Sequence, residues 1–418
     1  MTVEHATPAS GVRVLGLMSG TSMDGIDVAA ADLRLRGETV ELSPLGHTAV
    51  TYPSRLRTRL MTAVAGEACG AGELCELDTG VGRAFAEAAR HGAEALAGGR
   101  AELVASLGQT LHHWVEDGRA RGTLQLGQPA WIAETTGLPV VADLRARDVA
   151  AGGHGAPLAG VLDALWLAPG AGTVTIALNI GGIANITVVG GDRPLAYDTG
   201  PGNALIDVAA TTVTGGRATQ DTGGRLAAGG RIRTDLLEEL LADPYFEAPP
   251  PKSTGKEHFN GDHLRRALDR VGEVDDSDLL ATLTELTAVT VAAACVRHHP
   301  REVVASGGGT GNPVLMAALR RRLAEHGTEL VLSDDHGLPT DGKEAYLAAL
   351  LGFLTFNGLP GNVPGTTGAR EPRSLGSITP GTTPLRLPRP AAQPVRSLRV
   401  TDHDADDEQE APCASPTS

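Results

Sequence analysis

The sequence predicts an α/β fold built as two domains of one plan, and three observations carry that prediction. Residues 12–17 and 26–35 are β-forming runs joined by a glycine-bearing turn, and residues 174–189, VTIALNIGGIANITVV, repeat the plan of strand, glycine turn and strand. After each hairpin, stretches rich in Ala, Glu, Arg and Leu alternate with short apolar strands. A chain of 418 residues also exceeds what one core usually serves. Two such hairpins opening two halves imply duplicated domains facing each other across a cleft, each offering a backbone loop to one phosphate chain. The expected boundaries are 12–170, completed by a C-terminal helical segment near 343–380, and 171–342, with 382–418 as a disordered tail.

Composition narrows the function classes. Hydrophobic residues at 41% and charged residues at 20% describe a soluble globular chain, and no run approaches the roughly 18 apolar residues of a membrane helix. The opening MTVEHATPAS has neither basic residues nor an apolar core, so it is not a secretory signal and a cytoplasmic location is expected. Cys69, Cys75, Cys295 and Cys413 form no CxxC or CxxH unit, which reads as reduced, mostly packed thiols rather than a cysteine zinc site or a disulfide frame. A net charge of −15 disfavours nucleic acid and anionic membrane as partners. Six of the acids, Asp402, Asp404, Asp406, Asp407, Glu408 and Glu410, follow a Pro-rich segment carrying Arg386, Arg389, Arg396 and Arg399. Such blockwise composition cannot pack a core, hence the disordered tail.

Taken in order, the first hairpin tip is GLMSGTSMDGID, residues 16–27. Gly20 and Gly25 allow the bend, and Ser19, Thr21 and Ser22 add hydroxyls to the exposed amides, so the tip suits an anion. Asp24 and Asp27 are close enough in sequence to orient a hydrated magnesium ion. A third extended segment over 39–52, a helix from Pro53 to about Val64 and a long helix over 73–97 follow. A short buried strand over 103–107 delivers LGQTLHH, in which Gln109, Thr110, His112 and His113 leave the strand end, where α/β proteins usually bind ligands. Adjacent histidines diverge on strand or helix, which disfavours a shared metal. Strands at 124–126 and 138–142 flank a helix over 129–136. The loop ADLRARDVAAGGHGAPL then carries Asp143, Arg145, Arg147, Asp148 and His154, either as a functional loop or as a crossover whose Arg and Asp pair internally. An apolar helix over 157–167 leads to the domain boundary.

In the second half, Asn179, Gly181, Gly182 and Asn185 stand where the first hairpin has Ser19, Gly20, Thr21 and Asp24. A strand over 195–197 runs into DTGPGNALID, which places Asp198 at a strand end ahead of a helix beginning near Asn203. A rigidly held carboxylate there suits a general base, while a turn or N-cap acid is the commoner use of Asp in such a place. Asp207, inside the helix, reads as a structural partner. PPKSTGKEHFN, residues 250–260, holds Lys252 and Lys256 but lacks GxxxxGK[ST], so it is either a phosphate cover or a surface loop. After a buried helix over 278–296, a strand over 301–305 feeds SGGGTGNP, whose Gly307, Gly308 and Gly309 let a flat ring approach the backbone as an adenosine seat. The last apolar helix, 343–356, carries Glu344 in its first turn, where capping is the simple explanation.

Jointly, GLMSGTSMDGID, LGQT with His112 or His113, ADLRARDVAAGG, NIGGIANIT, DTGPGNALID, PPKSTGKEHFN, SGGG with NP, DGKEA and VPGTTGA resemble, in this order, the 1,6-anhydro-N-acetylmuramic acid kinase family. The resemblance spans residues 12–381 and implies two facing actin-like or sugar-kinase-like domains with a central ATP and substrate cleft. It implies an ATP- and magnesium-dependent enzyme that opens the 1,6-anhydro ring with water and phosphorylates the oxygen on carbon 6, giving N-acetylmuramic acid 6-phosphate and ADP in cell-wall sugar recycling. By motif, Asp198 is the base. Gly20, Thr21, Ser22, Met23, Asp24, Gly25, Ile26 and Asp27 hold the ATP phosphates, opposed by Gly181 and Gly182, with Gly307, Gly308 and Gly309 near the adenosine. Gln109, Thr110 and Glu344 are the candidates for sugar contacts. His154 stands where this motif is expected to carry Gln, and a homodimer is the family expectation. The alternatives are another sugar kinase of that superfamily and a nucleotide-driven binding protein.

Overall fold

The computed structural model describes residues 11–401 apart from 21–22, 67–68, 169–171, 192, 251 and 392. The chain divides into two compact units, one made of the chain up to Trp166 together with the chain from Glu344 onward, the other Leu167–Lys343. The first unit opens with β1 (Val12–Ser19), β2 (Ile26–Arg36) and β3 (Thr39–Val50), then α1 (Ser54–Val64), α2 (Ala71–Ala95), β4 (Leu103–Glu116), β5 (Arg119–Leu126), α3 (Pro129–Thr136), β6 (Val140–Ala142), α4 (Ala146–Ala150) and α5 (Ala159–Trp166). The second holds β7 (Thr175–Ile180), β8 (Ile183–Val189), β9 (Leu195–Pro201), α6 (Ala204–Val213), α7 (Thr234–Leu241), α8 (Gly261–Val271), α9 (Asp276–Val296), β10 (Glu302–Ser306), α10 (Pro313–Ala324) and β11 (Glu329–Leu332). The chain closes with α11 (Lys343–Phe356), α12 (Pro364–Thr367), β12 (Ser377–Thr379) and β13 (Ser397–Val400).

Each sheet has the same plan. In the first, β1, β2 and β3 are antiparallel and β4 then β6 join β1 in parallel; in the second, β7, β8 and β9 are antiparallel and β10 then β11 join β7 in parallel. The shared order, β3-β2-β1-β4-β6 and β9-β8-β7-β10-β11, is the duplication that the two glycine hairpins predicted. Parallel neighbours require helical crossovers, and α2 and α9 supply the long ones.

Three expectations are corrected. The 103–107 strand continues to Glu116 and pairs with β5, so Gln109, Thr110, His112 and His113 lie along a hairpin arm rather than beyond a strand end. The β-branched and aromatic content of the arm and its cross-strand partners carry the strand past the glycine at 108. Likewise β9 runs to Pro201, which puts Asp198 inside a strand. In the segment expected to be disordered, Ser397–Val400 pairs in parallel with Thr39–Leu42, because Leu398 can bury its side chain there. The acidic run beyond it and Cys413 lie outside the described residues.

α9 is apolar and long enough to cross a bilayer by length and composition. Most of it is buried within its unit instead, packed on β8, β9, α6, α7 and α10. In the first unit, α11 lies directly on the sheet: a Cβ at Gly16 would fall 1.9 Å from the Ala345 carbonyl oxygen, and one at Gly352 would fall 2.3 Å from Ala105 Cβ. Gly16→Ala therefore drives a methyl into helix backbone. It is expected to cost about 2 kcal/mol, seen as a lower denaturant midpoint with unchanged slope.

Candidate active site

In the second unit, strand register assembles one row of polar residues across the sheet. Ser306 on β10 pairs with Asn179 on β7, Asn179 with Asn185 on β8, and Asn185 with Asp198 on β9. Directly paired residues project to the same face, so four side chains from four strands share one level. At the adjoining tip, the Gly181 carbonyl accepts from Asn203 N (2.8 Å) and the Gly182 carbonyl from Gly202 N and Ala204 N (2.9 Å each). The helix start is thereby stitched to the hairpin. Gly202 permits this approach, since a Cβ there would lie 2.3 Å from the Gly181 oxygen.

Asp198 is clamped by the 250–260 loop. Its Oδ2 accepts from Ser253 Oγ (2.8 Å) and from Thr254 N (3.0 Å), its backbone N donates to the Lys252 carbonyl (3.1 Å), and its own carbonyl accepts from Tyr245 Oη (2.8 Å). Among the described residues no hydrogen bond reaches Oδ1. Burial pushes the carboxyl above the usual carboxylate range, and the two bonds to Oδ2 pull the other way. The geometry presents one oxygen with spare basicity and fixes the other.

The same loop separates its two lysines. Lys252 is structural: Nζ donates to the carbonyls of Tyr245 (2.8 Å) and Phe246 (3.1 Å) and lies 4.5 Å from the Tyr245 ring centroid. Lys256 extends across Gly182, where a Cβ would meet Lys256 Cε at 2.6 Å. Near it, burial lifts the Asp207 carboxyl to about 6, opposed by the Lys256 charge. The glycine triplet rests on the end of β7. Added Cβ atoms at Gly307 and Gly309 would strike Asn179 Oδ1 and Ile180 Cγ2 at 2.4 and 2.3 Å, while Gly308 faces open space. Asn312 caps α10 by accepting from Val314 N and Leu315 N.

In the first unit the β1–β2 tip is held from beneath by Gln109. Its Oε1 accepts from Ser19 Oγ (2.8 Å) and Tyr52 Oη (3.2 Å), and its Nε2 donates to the carbonyls of Gly20 and Thr110 (3.3 Å each). At 0% exposure with both amide atoms committed, Gln109 is a strut of the hairpin, which corrects its reading as a sugar contact. Met23 (φ 52°) and Ile26 also turn their side chains into the core, so only their backbone could meet a ligand. Arg57 Nε secures the Met23 carbonyl at 2.7 Å. Thr21 and Ser22 lie outside the described residues.

Beside this tip, Thr110 is half-buried and its Oγ1 accepts from Gln125 Nε2 (3.1 Å), and Gln125 Oε1 is buried with no hydrogen-bond partner among the described residues. The 142–158 loop contains the short helix α4, and Asp148 organises it. The fully buried Asp148 carboxylate accepts from Asn362 Nδ2 (2.6 Å), Thr367 Oγ1 (2.8 Å) and Gly155 N (2.7 Å). His154 is pinned by its backbone N to the Thr367 carbonyl (2.8 Å). Arg145 Nη1 donates to the Gly155 carbonyl (2.8 Å), but its Nε is buried and unpartnered; burial lowers its pKa, and Glu344 and Asp148 oppose that shift. α4 packs on β5, so two orphaned polar atoms, Gln125 Oε1 and Arg145 Nε, belong to neighbouring elements. Gln125 was missed in the sequence because a strand glutamine carries no local signal; an orphaned acceptor shows only once its neighbours are known.

A family model described as anhydro-N-acetylmuramic acid kinase matches residues 12–381. A protein named anhydro-N-acetylmuramic acid kinase in Streptomyces coelicolor is 56% identical over 390 residues, covering 93% of this chain and 99% of its own. Proteins of the same name in Streptomyces avermitilis and Rhodococcus erythropolis are 55% and 51% identical, each across 92% of this chain and 99% and 97% of theirs.

Proposed function

The chain belongs to the anhydro-N-acetylmuramic acid kinase family, and from that premise we propose how its residues divide the reaction. The enzyme uses ATP and water to convert the anhydro sugar into N-acetylmuramic acid 6-phosphate and ADP. Water adds to carbon 1, the bond from carbon 1 to the bridging oxygen breaks, that oxygen takes the γ-phosphoryl group, and ADP leaves. Asp198 Oδ1 receives the proton that the attacking water gives up. The observation that carries this assignment is a half-buried carboxylate with one oxygen fixed by Ser253 and Thr254 and the other without a hydrogen bond among the described residues.

Phosphoryl transfer needs positioning and charge neutralisation more than covalent help. The backbone from Gly20 to Asp27 and that of Gly181 and Gly182 supply amide donors for phosphate oxygens, Lys256 supplies positive charge beside Gly182, and Gly307 to Gly309 serve the adenosine. Asp24 and Asp27 offer the all-oxygen donor set that hydrated magnesium takes, and the ion would neutralise phosphate charge there. For the sugar, Thr110 and Glu344 are the contacts, with the buried Arg145 adding positive charge beside Glu344.

Reaction in oxygen-18 water tests the route. One label on the anomeric hydroxyl of the product is expected, and unlabelled product would defeat hydrolytic opening. A second test concerns pH. Because the base must be ionised, kcat/KM falls as pH drops through the raised pKa of Asp198. Ser253→Ala removes a bond that favours the charged form, so the acid limb moves to higher pH while the plateau above it changes little. An unmoved limb would show that Ser253 does not tune the base.

A further inference from the structure

Asp243, His258 and His263 stand outside the catalytic machinery and converge on one point. Asp243 follows α7, His258 precedes α8 and His263 lies in the first turn of α8. Asp243 Oδ2 is 2.8 Å from His258 Nε2 and 3.7 Å from His263 Nδ1, and the three atoms all lie within 4.8 Å of one another. The remaining carboxylate oxygen, Oδ1, is oriented by Tyr245 N at 2.8 Å. The Phe259 ring packs against both imidazoles, with centroids 4.5 and 5.3 Å away.

A hydrogen-bonded Asp–His pair needs only one imidazole. The second nitrogen is turned toward the same oxygen from beyond hydrogen-bond reach, so its approach is unexplained by that pair. A tetrahedral ion with bonds of about 2.0–2.1 Å sets its ligands roughly 3.4 Å apart, between the two separations seen. Small adjustments of both rings therefore admit a cation. We propose that Asp243, His258 and His263 form a zinc site with three protein ligands and a fourth position taken by water. Two imidazoles and one carboxylate favour zinc over magnesium, which asks for six oxygens. Asp243 and His263 side chains are 11% and 13% exposed and His258 is 41% exposed, so an ion can enter from the His258 side.

The ion's role is to brace the fold. It ties the end of α7 and the start of α8 to the loop whose Ser253 and Thr254 hold Asp198. The site is independent of the assignment of Asp198 as base.

Titration of the full chain with zinc against a chromogenic chelator tests the site, with cobalt absorption as a report on tetrahedral nitrogen and oxygen ligation. One equivalent is expected to bind, raising Tm by roughly 3 °C at saturating metal. His258→Ala, at an exposed position that leaves the fold intact, and His263→Gln are each expected to weaken binding at least about tenfold and abolish the Tm shift. His47→Ala, remote in sequence and on β3, leaves both unchanged. Absence of a stoichiometric site, or binding that survives His258→Ala, overturns the proposal.

Discussion

Asp198→Asn is expected to lower sugar-dependent ADP release by about 10³-fold while leaving ATP affinity within a factor of two, the first being the scale of a lost general base. The substitution is clean for a structural reason. Ser253 Oγ and Thr254 N donate to one carboxylate oxygen, and the amide oxygen of Asn can take that place, which turns its NH2 toward the position of Oδ1. An NH2 group cannot accept the proton of an attacking water. Calorimetric ATP binding together with steady-state kinetics makes the measurement, and a residual rate within tenfold of the parent would remove Asp198 from the base role. If the variant instead lost ATP affinity in parallel, the carboxylate would be serving the nucleotide rather than the sugar.

Gln109→Leu is the largest stability change expected. The side chain matches in size, but four hydrogen bonds vanish from a site with no solvent access, although the Gly20 carbonyl keeps its bond from Met23 N. Four lost buried bonds at about 0.5–1.5 kcal/mol each give a loss of about 4 kcal/mol. Because the Gly20 carbonyl belongs to the tip proposed to hold phosphate, KM for ATP is expected to rise along with the lower denaturant midpoint. Gln109→Glu gives no rescue, since a second oxygen would face the carbonyls of Gly20 and Thr110. A rise in KM for the sugar alone, at parental stability, would restore Gln109 as a sugar contact.

These two residues mark the reach of the sequence. The strand and helix around Asp198 were legible because DTGPGNALID is a contiguous run in which a strand end and a helix start each leave a local sign. The duplicated hairpins were legible for the same reason, and α3 and α11 were predicted at their observed bounds. Helices α7 and α8 lay between motifs and were not predicted, although Asn260, which accepts from Asp262 N and His263 N, is an N-cap signal that could have found the second.

What the sequence by itself determined is the order of elements and the repeated plan, both encoded within a few residues of where they act. Tertiary structure alone decided what each polar side chain does. Ser19 and Gln109 are 90 positions apart, and only their pairing converts an apparent ligand contact into a buried strut. Lys252 and Lys256 are four positions apart in one loop, and only the carbonyls of Tyr245 and Phe246 against the tip at Gly182 separate a cation tied to backbone from one laid across a glycine hairpin. Backbone conformation responds to near neighbours, whereas burial and hydrogen-bond partnership are set by whichever distant segment the fold brings alongside.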